Sequence, residues 1–194
     1  MAGAPIAVER RAGRGRASNR SGTGDRSGLQ SHIMDVYKRS EALADYAVGP
    51  SKIKDFIGKI PKEAIDYRPF EDAWTIAEHT HHLLDAEMNG YVRYRNAIAE
   101  PGSLVRLWDQ EGWKAKLGYA EQDLSSSLEA FALIRSIVHR HLSRIVSEDW
   151  SKYTFVHPER GTVDLDGWLE TYLGHVKTHL DYFERNLRLF KEKG

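Results

Sequence analysis

The sequence predicts an all-α protein, a bundle of four long amphipathic helices with short additional helices between them. Three observations carry this. From Met34 onward, apolar residues recur with the spacing of one helix face. No run alternates apolar and polar residues as a half-buried strand would. Prolines and glycines fall between the helical windows, where they end one element and start the next.

The first helix is expected over residues 34–47. Gly49-Pro50 then predicts a break, with Pro50 in the first turn of a continuation from Lys52 to Ile60, where its missing N–H leaves no bond unmade. Residues 61–69, bounded by Pro61 and Pro69, read as a connecting turn. The second long helix has the clearest start, because Thr75 and Glu78 form the spacing of a capping box. It should run to Ala99 and stop before Pro101-Gly102. A loop with short helical pieces follows, carrying Trp108, Asp109 and Trp113. The third long helix spans about residues 121–146, with Leu124, Leu128, Phe131, Val138, Leu142 and Ile145 on one stripe. The stretch YTFVHPERGTVD reads as a turn-rich connection. The fourth helix starts near Asp164 and runs to about Phe190.

Composition narrows the function. The 194 residues suffice for one domain with a sizeable core, taken as 34–194. Lys plus Arg equals Asp plus Glu, 28 each, so no global charge points to nucleic acid or an anionic membrane. No apolar run approaches the roughly 20 residues needed to span a bilayer. The absence of cysteine excludes disulfides, a thiolate nucleophile and a Cys-ligated metal, and fits a reducing compartment, the cytoplasm, with a bacterial periplasm as the alternative. Residues 1–33 hold six arginines and no aromatic residue, a composition that cannot offset the entropy of ordering. They read as a disordered tail, or as an extension upstream of a start at Met34.

The chemistry concentrates in histidines. His175 and His179 lie four apart, so both imidazoles can reach one ion. Trp168, Tyr172, His175, His179 and Tyr182 form one stripe of the last helix, and the charges Glu170, Lys177, Asp181, Glu184 and Arg188 sit opposite. The pair therefore belongs to the inward flank. On the second long helix, His82 shares a stripe with Glu78, Asp85, Asn89 and Arg93, whereas His79 lies on its edge and His81 points away. Periodicity leaves open whether that stripe meets solvent or a site. A third inward histidine would complete the open three-ligand arrangement of catalytic zinc.

These residues resemble a known family. Trp74, Thr75, His82 and Asp85, followed by a late HxxxH, are similar to the DinB-like superfamily of four-helix metalloproteins. The nearer likeness is to its branch of metal-dependent hydrolases and bacillithiol S-transferases. That branch reads HHxADxxMNxYxRxxxAxxE, matched here by His81, His82, Asp85, Met88, Asn89, Tyr91, Arg93, Ala97 and Glu100. Asp109 with Trp113, His157-Pro158 and Tyr172 also follow in order. The likeness covers about residues 50–190. It implies an up-down-down-up bundle, frequently a homodimer, holding one divalent metal, zinc or nickel, through His82, His175 and His179. His79 and His81 are not ligands on this reading, and His81 takes a surface or supporting place. Arg135 departs from the family pattern by standing in the middle of an apolar stripe. It is expected to be a structural ion pair or an anion anchor.

A cation on three neutral imidazoles would lower the pKa of water or of a small thiol near it. The first expected function is transfer of a low-molecular-weight, bacillithiol-like thiol to a small electrophile. Asp85 or Asn89 would orient the incoming group, Arg93 and Arg135 would meet a cosubstrate carboxylate, and Tyr172 would help bind it. The alternatives are hydrolysis of a small molecule with Asp85 as base, or a bundle that binds metal without catalysis.

Overall fold

The computed structural model describes residues 34–193; the tail expected over residues 1–33 lies outside the described residues. Four long helices form the bundle: α1 (Val36–Ile57), α3 (Ile76–Ala99), α5 (Leu124–Arg144) and α6 (Leu165–Lys193). Two short helices, α2 (Lys62–Ile65) and α4 (Gln110–Lys116), lie in the connections. Both α1 and α3 pack against α5 and α6, so the consecutive long helices α1 and α3 face each other across the diagonal.

Side-chain caps explain where the helices begin. Asp35 accepts from Lys38 N at 2.8 Å, Asp109 from Gly112 N at 3.0 Å and Asp123 from Ser126 N at 2.7 Å. At α3 both halves of the capping box are made: Thr75 Oγ1 accepts from Glu78 N at 3.1 Å, and Glu78 Oε2 accepts from Thr75 N at 2.8 Å. Each satisfies a donor that the first helical turn would otherwise leave open.

Gly49-Pro50 does not break the first helix as expected. Both residues are buried inside the continuous α1. Pro50 has no N–H, which leaves the carbonyl of Tyr46 without its helical partner. Arg135 Nη1 reaches that carbonyl at 3.5 Å. A Cβ on Gly49 would stand 2.4 Å from the same nitrogen, so glycine makes the room. The pair accommodates a guanidinium instead of ending the helix.

Arg135 is in turn paired with Glu87, through Nη2 at 2.7 Å and Nε at 3.1 Å, and each residue is 1% exposed. The Tyr46 hydroxyl donates to the other carboxylate oxygen of Glu87, and its ring lies 4.2 Å under the guanidinium. One polar cluster thus joins α1, α3 and α5. A second buried pair closes one end of the bundle. Arg39 donates to Asp166 through Nε and Nη2, both at 2.8 Å, and to the carbonyls of Val146 and Glu148.

The turn-rich connection contains structure that periodicity missed. Strands β2 (Thr154–His157) and β3 (Gly161–Asp164) form an antiparallel hairpin, and β1 (Ser103–Leu104) pairs with β2 in parallel. Each strand has at most four residues, too short for alternation to register. Gly161, at φ 72°, supplies the left-handed turn residue. Phe155 faces inward and meets the Trp168 ring at 5.0 Å. Asp164 then caps α6, accepting from Gly167 N at 2.8 Å.

Removing one partner of the central ion pair leaves an uncompensated buried charge. Glu87→Ala is therefore expected to lower the unfolding free energy in urea by about 3–5 kcal/mol. Replacing both Glu87 and Arg135 with Met should recover most of that loss. Equal losses in the single and double variants would show that the two residues act independently.

Candidate metal centre

The site lies where the first turns of α3 face the middle of α6. The capping box fixes where α3 begins, and Arg68 Nη2 holds its Glu78 at 2.7 Å. As the fourth residue of the helix, His79 points toward α6, and His82 follows about one turn later. On α6 the expected inward stripe presents His175 and His179, both buried.

One nitrogen each from His82, His175 and His179 lies within 4.8 Å of the other two. His175 Nε2 is 3.0 Å from His82 Nε2 and 3.0 Å from His179 Nε2. In a neutral imidazole each nitrogen offers either one N–H or one lone pair, so His175 Nε2 has a single proton or a single lone pair to share between two neighbours. A shared cation would resolve both contacts at once. The donor set is three imidazole nitrogens, suited to zinc or another borderline transition metal. The residues present fit such an ion.

Their protonation agrees. Burial pushes the pKa values of His79 and His175 down to about 3 and those of His82 and His179 well below the ordinary value. Neighbouring positive charge lowers them further: Arg185 beside His79, Arg135 beside His175, and the other imidazoles around His82 and His179. All four rings are neutral near pH 7, the form that offers a lone pair.

Aromatic rings wall the cluster. Trp108 stacks on His82 at 5.3 Å and 15°, while Trp74 meets His79 at 5.3 Å and His82 at 5.2 Å. Tyr182 stacks on His79 at 5.0 Å. Of the aromatics on the α6 stripe, Tyr172 is 6.1 Å from His175 and Tyr182 is 5.8 Å from His179, but Trp168 sits behind Tyr172. A narrow cavity leads to the cluster, bordered by His82, Arg93, Trp108, Thr171, Tyr172 and His175. Tyr172 seats in a notch at Gly90, where a Cβ would stand 2.3 Å from its hydroxyl, and donates to Ala86 O at 2.5 Å.

The other expected site residues separate. Arg93 and Tyr172 border the cavity; Arg93 also donates to Arg106 O at 2.9 Å. Asp85 accepts a hydrogen bond from Tyr119, and Asn89 donates to the carbonyl of Asp85 at 2.8 Å; neither borders the cavity. Arg135, held by Glu87, does not border it either. His81 is not at the surface as one expectation had it. It is 1% exposed, with Nδ1 2.8 Å from Ser127 Oγ on α5. Sequence reasoning missed His79, whose Nδ1 lies 3.0 Å from His179 Nδ1. It lies on the edge of the polar stripe, and the resemblance assigns it no ligand role. Trp108 also went unassigned because it enters from the loop before α4, where no periodicity speaks.

A sequence profile of the DinB superfamily matches residues 48–183, and the chain belongs to that superfamily. A homologue from Oceanobacillus iheyensis is 28% identical over 134 residues, spanning 68% of this chain and 75% of its own. YfiT of Bacillus subtilis is 28% identical over 135 residues, 68% of this chain and 74% of its own. Both are named, provisionally, metal-dependent hydrolases. The solved structure of YfiT, described as an unusual four-helix bundle topology, superposes with a TM-score of 0.73 at 20% identity. It covers 87% of this chain and 94% of YfiT, which establishes the four-helix bundle.

Because these histidines are neutral when folded and titrate near the ordinary value of about 6.5 when unfolded, the unfolded chain binds more protons between those values. Stability of the metal-free protein should therefore fall as pH drops from about 6.5 toward 3, by up to about 1.4 kcal/mol per pH unit for each such histidine. Urea midpoints of chelator-treated protein measured from about pH 7.5 down to 5.5 check this. A flat profile would mean that the imidazoles are solvated.

Proposed function

We propose that this protein is a metal-dependent enzyme that activates a small protic nucleophile for attack on a small electrophile, with His82, His175 and His179 as the cation's ligands. The observation that carries the reading is the convergence of three neutral imidazole nitrogens, two of whose rings, His82 and His175, border a cavity. Three protein ligands leave a coordination position for a reactant, whereas structural zinc normally takes four; this disfavours the non-catalytic reading. When bound, a divalent cation would supply Lewis acidity and lower the pKa of the nucleophile brought to it. The chain's own residues do the rest. Trp74 and Trp108 pack against the His82 ring and exclude water around it, and Arg93 puts a positive charge on the cavity wall for an anionic part of the substrate.

Hydrolysis, with water as nucleophile, is supported by the names of the relatives. Transfer of an external low-molecular-weight thiol is the second reading. It is favoured by Arg93 in the cavity wall, placed to meet a carboxylate of such a cosubstrate. Asp85 is not assigned the role of base, because its carboxylate accepts from Tyr119 and is absent from the cavity wall. The expected homodimer and cytoplasmic location rest on the resemblance and on composition. Among the described residues, no helix is long and apolar enough to cross a membrane.

Elemental analysis of the purified protein should find one divalent metal per chain. His179→Ala should lose most of it, while His81→Ala keeps it; equal metal content in the two variants overturns the ligand assignment. A screen of thiols against a chloro-dinitrobenzene, run beside ester and amide hydrolysis, separates the two chemistries. If thiol transfer is the activity, Arg93→Ala should raise the apparent KM for the thiol and leave metal content unchanged. Loss of metal in that variant would place Arg93 in the scaffold.

A further inference from the structure

The histidine cluster contains one ring to which the three-ligand reading gives no task. His79 is 5% exposed, one turn before His82 on α3. Its Nδ1 lies 3.0 Å from Nδ1 of His179, the nitrogen that faces away from His175. We propose that His79 is a positioning residue for the cation ligand His179, accepting a hydrogen bond from its Nδ1–H and so holding its Nε2 as a lone pair. The inference rests on the reading of His82, His175 and His179 as a cation site.

Proton bookkeeping makes the role specific. His179 can offer Nε2 to a cation only if its single proton sits on Nδ1. At 3.0 Å that proton must be donated to His79 Nδ1, which places the proton of His79 on Nε2. The opposite arrangement, with His79 donating, would put the proton of His179 on Nε2 and block the ligand. Among the described residues, His179 is the one member of the triad whose second nitrogen makes a hydrogen bond; Nδ1 of His82 is buried with no partner. The other two ligands are oriented by packing alone.

A space-filling role does not account for a histidine here. The His79 ring lies between Trp74 and Tyr182, an environment that a purely apolar ring would fill equally well. Instead the position carries a buried Nε2 with no partner, a group that folding must desolvate without return. What histidine adds over an apolar ring is the acceptor at Nδ1. Partners that orient metal-ligating histidines in this way typically change metal affinity about 10- to 100-fold when removed.

The test uses the full-length protein, Zn²⁺ and a competing chromophoric chelator. His79→Phe keeps a ring between Trp74 and Tyr182 but removes the acceptor, and should weaken Zn²⁺ binding about 10- to 100-fold. Its metal-free melting temperature should not fall below that of the wild type, because the unpartnered nitrogen is gone. His79→Asn, which can return an acceptor near the same place, should recover most of the affinity. Wild-type affinity in a folded His79→Phe overturns the proposal. A measurement on the unmodified protein covers the case in which variants do not fold. Nitrogen-15 spectra of the Zn²⁺-loaded wild type should show His179 protonated at Nδ1 and His79 at Nε2; a proton on Nδ1 of His79 overturns the assignment. Failure of the wild type to take up Zn²⁺ would instead sink the three-ligand reading itself.

Discussion

A guanidinium at the centre of a helical bundle is tolerable only with a partner, and the arrangement of three of the four long helices follows from how Arg135 finds one. Glu87 of α3 meets it from one side, held in turn by the Tyr46 hydroxyl, and the ring and carbonyl of Tyr46 of α1 meet it from the other. An unpaired charge at 1% exposure would be several kcal/mol out of balance, so sliding α3 against α5 is strongly opposed. Gly49-Pro50 belongs to the same device, since one removes a Cβ and the other frees a carbonyl. The ion pair therefore fixes α3 little more than a turn beyond His82. The angular and axial position of the histidines on α3 is inherited from it.

The contact between α3 and α6 is of the opposite kind. Four neutral imidazoles meet there, two of them, His79 and His82, with a buried nitrogen that has no partner among the described residues. Buried polar atoms in that condition weaken the fold, and a bundle selected for stability alone would place leucine at such positions. The rest of the molecule offsets the penalty. The apolar groups Ile53, Ile76, Phe131 and Phe183 form one core cluster, and a second gathers Tyr94, Trp150, Phe155 and Trp168. Local disagreement with the rules of packing, surrounded by agreement with them, is what a functional site looks like in physical terms.

How much of this was legible in the sequence depended on length and period. The long helices, the capping box at Thr75 and the inward stripe bearing His175 and His179 are repeating signals, and the structure has them at the expected places. The three strands escaped because four residues give alternation no room. Gly49-Pro50 misled because a proline's effect depends on what takes up the freed carbonyl, and that was Arg135, 85 positions or more away in the chain. At the site, the α3 stripe could not be oriented by period alone; His82 came from the resemblance. His79 was set aside by the resemblance, which gives it no ligand role, yet a flat ring at the edge of a stripe can still turn inward. Contacts that depend on the third dimension, such as Trp108 on His82, left no local trace.

Burial links the two halves of the site's chemistry. It keeps the imidazoles neutral at physiological pH, so that no proton competes for the lone pairs that a cation needs. It also lowers the local dielectric, which strengthens the field of any charge placed among them. A positive wall near a cation would ordinarily weaken its binding. The two arginines avoid this differently. Arg135 is neutralised by Glu87, and its remaining effect is to help keep His175 unprotonated. Arg93 stands farther along α3, about three turns beyond His82, stacked over the Trp168 ring at 5.2 Å and bordering the cavity. With a cation on the histidines as proposed, the cavity would have a metal at one end and a guanidinium at the other, and that order follows from the positions of His82 and Arg93 along one helix.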